Sequence, residues 1–95
     1  MKPPTTVDID LEHGVGYVRY RDLADGETLG SSQELAAGSG LELEVVIDRD
    51  RAGAVVGIEL TSLDATTIGN AQGFAESEGL VFPHAAIGAL AALVS

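Results

Sequence analysis

The chain has 95 residues, no cysteine, and 15 Asp and Glu against 5 Lys and Arg, for a formal charge of −10. That length suits one domain around one core, and the missing thiols exclude disulfides, thiolate zinc sites and cysteine nucleophiles. The acidity argues against nucleic acid and anionic membranes, whose affinity for proteins comes largely from basic side chains neutralising phosphate. Apolar residues make up 45% of the chain and aromatics 4%, with no Trp, so a core must be built from Val, Ile, Leu and Ala.

Residues Val7 to Glu12 alternate strictly between apolar (Val7, Ile9, Leu11) and acidic (Asp8, Asp10, Glu12), the pattern of a half-buried strand. His13-Gly14 then offers a two-residue hairpin turn, because glycine adopts the positive φ such a turn needs. Pairing across that turn sets Val7 opposite Tyr20, Ile9 opposite Val18 and Leu11 opposite Gly16 on an oily face. Asp8 then meets Arg19 and Asp10 meets Tyr17 on a polar one. Ala24-Asp25-Gly26 marks a turn, and Glu27 to Leu35, mostly polar, reads as an edge strand. Beyond the small-residue loop 36–40, Leu41, Leu43, Val45 and Ile47 alternate with Glu42, Glu44, Val46 and Asp48. Asp48 to Gly53 turns the chain, and Ala54 to Leu60 returns it with Val56, Ile58 and Leu60 inward.

Past Ser62, Ile68, Ala71, Phe74 and Ala75 recur at roughly helical spacing, but Gly69, Gly73 and Gly79 interrupt them. Residues 61–82 are therefore expected as an irregular connection with room for at most a short helix. Pro83 suits the first position of a helix, and His84 to Val94 is apolar on nearly every side. That apolar run is about 11 residues, short of the ~20 that span a bilayer. A single small sheet covers one face of such a helix, so Ile87, Leu90, Leu93 and Val94 are expected to meet a second copy, giving a homo-oligomer. The expected fold is α+β, mainly β. A single domain holds an antiparallel β-meander of four to five strands over residues 6–60, with the C-terminal helix, 83–95, packed on the apolar face.

Val7-Asp8-Ile9-Asp10-Leu11-Glu12, Tyr17-Val18-Arg19-Tyr20, Val46-Ile47-Asp48-Arg49-Asp50 and above all Val55-Val56-Gly57-Ile58-Glu59-Leu60 resemble the small prokaryotic family catalogued as domain of unknown function 2283. The resemblance covers Thr6 to about Asp64. It departs at Ala52-Gly53, where an acidic residue usually precedes the glycine, in the longer 36–40 loop, and in the tail beyond Ala65. It implies a fold of strands and no particular chemistry. Because some members are encoded beside small toxin-like proteins, it also implies an antitoxin or partner role.

Three sets of residues invite chemistry. Asp48, Asp50, Gly53 and Glu59 fall at positions 1, 3, 6 and 12 of a calcium-loop pattern, so Asp48, Asp50 and Glu59 are the candidate metal ligands. However, Ala52 breaks position 5, and the flanks read as strands rather than the helices that loop joins. Pairing Ile47 with Val56 sets Glu44 opposite Glu59, a like-charge pair that an arginine, a cation, a shifted pKa or another register must relieve. His13 and His84 form no zinc set, no serine sits in a nucleophile elbow, and no glycine loop matches a phosphate fingerprint. Met1-Lys2-Pro3-Pro4 lacks the apolar run of a leader, so the expected location is cytoplasmic. The chain is thus expected to be a non-enzymatic acidic interaction module without a cofactor, with antitoxin-like neutralisation of a basic protein partner and divalent-cation binding at the hairpin as alternatives.

Overall fold

A computed structural model describes residues 1–34 and 45–93. It contains β1 (Thr6–Asp10), β2 (Val15–Arg19), β3 (Ser31–Glu34), β4 (Val45–Arg49), β5 (Val55–Leu60), α1 (Ala65–Ser77) and α2 (His84–Ala91). The strands form one antiparallel sheet in the order β1-β2-β5-β4-β3. The expected α+β class, the five antiparallel strands and the packed C-terminal helix are all present. One link differs from a simple meander: β2 is followed in space by β5, so the chain's last strand lies at the centre of the sheet and β3 lies at the far edge. The end of the expected edge strand at Leu35, the 36–40 loop, and Leu41 to Glu44 of the expected second strong strand lie outside the described residues.

The first hairpin closes through four residues rather than two. Asp10 ends β1 by accepting the backbone N–H of His13 on Oδ1 at 3.1 Å, while its main-chain carbonyl accepts the N–H of Gly14, which has φ 67°. Such an aspartate-capped turn satisfies local backbone donors before the strand can run on to Glu12. The observed pairs are Val7↔Val18, Asp8↔Tyr17, Ile9↔Gly16 and Thr6↔Arg19, two residues away from the expected register. A shift by two keeps every side chain on its face, so the separation of oily from polar survives the correction.

The β4–β5 ladder pairs Ile47↔Ile58 and Val46↔Glu59 and then slips at Asp48/Arg49, so that Arg49 faces Val55. This irregularity gives β5 one extra residue and changes its alternation. Val55 joins Ile58 and Leu60 in the core cluster, whereas Val56, expected inward with them, is buried outside that cluster.

Residues 61–82 are not merely an irregular connection. Asp64 caps α1 by accepting the Thr67 N–H at 2.7 Å. Gly79, with φ 71°, ends it where Leu80 N donates to the Ala75 carbonyl and Gly79 N to that of Glu76, the two bonds of a Schellman stop. Gly69 and Gly73 lie on its exposed side. Ile68, Ala71 and Ala75 are buried, and the two alanines let the helix sit close on β4 and β5. α2 packs on α1 and inserts Ile87 into the same core as Val18, Ile47, Ile58 and Leu60. Tyr20, 1% exposed, ties the sheet to the inter-helix segment by donating its hydroxyl to the Val81 carbonyl at 2.8 Å. Among the described residues no helix is long and apolar enough to cross a membrane.

Candidate functional site

Both helices cover the side of the sheet that carries Val18, Ile47 and Ile58, so the residues alternating with these project from the other side. The ladders place them in rows that cross all five strands. Asp8, Tyr17, Glu59, Val46 and Glu34 pair in succession into one row, and Thr6, Arg19, Gly57, Asp48 and Ser32 into the next. Asp8, Glu59 and Glu34 are exposed, while Tyr17 and Val46 are half-buried between them.

A hydrogen-bonded chain fixes the centre of this face. The Tyr17 hydroxyl donates to Asp48 Oδ2 at 2.8 Å, and the Ser32 hydroxyl donates to Asp48 Oδ1 at 2.6 Å, so one carboxylate joins β2, β4 and β3. The Arg19 guanidinium lies over the Tyr17 ring, 5.2 Å from its centroid, within cation–π range. Burial, and then the bond to Asp48, push the Tyr17 phenol well above its ordinary range, so it remains a neutral donor. The face is therefore cross-linked at its centre by side-chain hydrogen bonds and carries exposed carboxylates on its central strand, at Glu59, and on both edge strands, at Asp8 and Glu34.

The three metal candidates are put to separate uses. Asp48 serves Tyr17 and Ser32. Asp50 turns into its own hairpin, where Oδ1 accepts the backbone N–H groups of Ala52 at 2.9 Å and Ala54 at 3.0 Å, and its Oδ2 lies 3.7 Å from Arg21 Nε. Glu59 stands exposed between Tyr17 and Val46. Among the described residues no group of three or more His, Asp or Glu side chains is arranged to hold a metal ion. The expected Glu44–Glu59 opposition is overturned, because Val46 is the residue opposite Glu59. The alternative register relieves the repulsion.

Of the expected contact residues on the C-terminal helix, Ile87 is fully buried in the chain's own core and offers nothing to a partner. Leu90 and Leu93 are exposed, at 39% and 73%, and Val94 lies outside the described residues. A groove of about 400 Å³ between the helices is lined by Leu63, Ile68 and Ala91 among others. A cavity of about 210 Å³ near Lys2 also holds Arg49, whose guanidinium is already engaged by Glu78 at 2.8 Å and the Gly53 carbonyl at 2.9 Å. His13 pairs with Asp10 at 2.7 Å, and His84 is exposed at the start of α2. Sequence reasoning missed the Tyr17–Asp48–Ser32 chain. Its only local signal was a glycine, Gly57, inside a strand, which marks a close approach by another group. Comparison with protein-family models, with curated proteins and with solved structures finds no match.

Proposed function

We propose that this chain is a non-enzymatic acidic interaction module that binds a basic protein partner through the uncovered face of its sheet. The row Asp8–Tyr17–Glu59–Val46–Glu34 carries the proposal. Its three exposed carboxylates stand two strands apart, about 10 Å by strand spacing, with an aromatic and an aliphatic side chain between them. Carboxylates at that spacing steer and orient a cationic surface, and the immobilised Tyr17 supplies contact area at little entropic cost. The antitoxin-like form, in which the partner is a small basic toxin, draws on the resemblance of residues 6–64 to the family named above.

The test is anisotropy of a labelled Lys-Thr repeat peptide titrated with the full chain at low and physiological salt. Binding should weaken with salt, and Glu59→Gln and Glu34→Gln should each weaken it about 2–5-fold, the range of exposed ion pairs. Asp25→Asn, in an exposed loop, removes the same charge elsewhere. Equal losses for all three variants would reduce the effect to net charge and overturn the assignment to this face.

Exposed Leu90 and Leu93 favour a second role in self-association through α2 and the turn that follows it. Light scattering should then show a dimer or larger species that Leu93→Asp converts to monomer. A monomeric wild-type chain would end that reading.

A further inference from the structure

We propose that the basic partner joins the sheet as a sixth strand along the outer edge of β1, and that this strand alternates basic with apolar residues. The inference rests on the basic-partner reading above and specifies its geometry. β1 ends the strand order, so among the described residues the main-chain N–H and C=O groups along its outer side have no neighbouring strand.

The two faces of β1 ask for different neighbours. Thr6, Asp8 and Asp10 lie on the uncovered face, and the Asp8 carboxylate has no hydrogen bond or ion pair among the described residues. Val7, 40% exposed, and Ile9, packed against the core cluster, lie on the helix-covered face, where the oily surface runs out to the sheet edge. Cross-strand neighbours sit about 5 Å apart. A strand with Lys or Arg at alternate positions would bring its cations to Asp8 and Asp10 while its apolar residues extend the layer over Val7 and Ile9. The opposite edge does not fit: β3 is Ser31-Ser32-Gln33-Glu34, with no apolar side chain to extend.

Charge also selects the occupant. If a second copy paired its own β1 antiparallel and centred on Asp8, that carboxylate would meet its counterpart directly, and like charges in opposed positions destabilise a sheet. In that register the acidic edge disfavours a copy of itself and favours a cationic strand.

Amide hydrogen exchange on the full chain tests this, using a nine-residue alternating Lys-Val peptide and a peptide of equal composition in block order. The alternating peptide should slow exchange in β1 about tenfold or more at amides exposed in the free chain, and Asp8→Lys should remove the effect without altering exchange in β5. The alternating peptide with its backbone N-methylated on one edge should lose the protection. If both peptides bind and perturb Glu59 and Val46 but leave β1 amides unprotected, strand addition is refuted and face binding stands. If neither peptide binds at low salt, the basic-partner reading itself fails.

Discussion

The ring of Tyr17 lies across Gly57, occupying the space that a Cβ there would need, and carries its hydroxyl on to Asp48 Oδ2 at 2.8 Å. A strand glycine normally weakens a sheet; here it is the hollow that lets a side chain from β2 reach past β5 to β4. Gly57→Ala should displace the ring and cost about 1–3 kcal/mol, and Tyr17→Phe about 1 kcal/mol from the lost hydrogen bond. Denaturant unfolding of Gly57→Ala in a Tyr17→Ala background should show a much smaller cost, with a coupling of about 0.5–2 kcal/mol. Strict additivity would mean that the ring and the glycine are energetically independent.

The chain has two tyrosines, and both are raised above the ordinary phenol value of 10.0, Tyr20 by burial to about 12 and Tyr17 by burial and its bond to Asp48. A raised folded-state pKa means that the associated stability is fully present below pH 10 and is lost as pH climbs through the folded value. Absorbance at tyrosinate wavelengths should stay flat through pH 10 and rise only as the chain unfolds near or above pH 12. A phenol titrating near 10 in the folded protein would contradict the buried, bonded placement.

At the acid end, two surface carboxylates are shifted the other way. The hydrogen bonds from His13 hold Asp10 below its ordinary value, and those from Arg21 and the Ala24 N–H do the same for Glu27. A depressed folded-state pKa contributes stability above the unfolded value that is lost as pH falls through the folded one. Stability should therefore decline below about pH 4.5, the ordinary glutamate value. His13→Ala and Arg21→Met should each flatten part of that decline in a chemical-denaturation series across pH. An unchanged slope in both would show that these pairs do not couple to folding.

The strictly alternating strand Val7–Asp10 was legible because period two reports which face is buried, and Val45–Asp48 was legible as the continuation of the alternation that starts at Leu41, although Val46 interrupts it. The register was less so. Whether Asp10 ends its strand depends on a turn bond to His13 that alternation does not encode, and the slip beside Arg49 hides behind an unbroken Val-Val. α1 was obscured by counting Gly69, Gly73 and Gly79 alike as breaks. Two of them sit on its exposed side, where each costs roughly 1 kcal/mol relative to Ala, and the third is its stop signal. The uncovered face was least legible, because its rows exist only once β2 pairs with β5, a contact between residues some forty positions apart. Asp48, Asp50 and Glu59 show the converse: their spacing suggested one site, while the folded chain gives each a different partner.

Backbone amide shift mapping of the labelled full chain against the Lys-Thr repeat peptide, at low ionic strength and again at physiological salt, decides whether a cationic ligand occupies the uncovered face of the sheet. Saturable, salt-sensitive perturbations are expected at Asp8, Tyr17, Val46, Glu59 and Glu34, with α1 and α2 silent. Perturbations confined to the helices, or an absence of any at low salt, would contradict that placement.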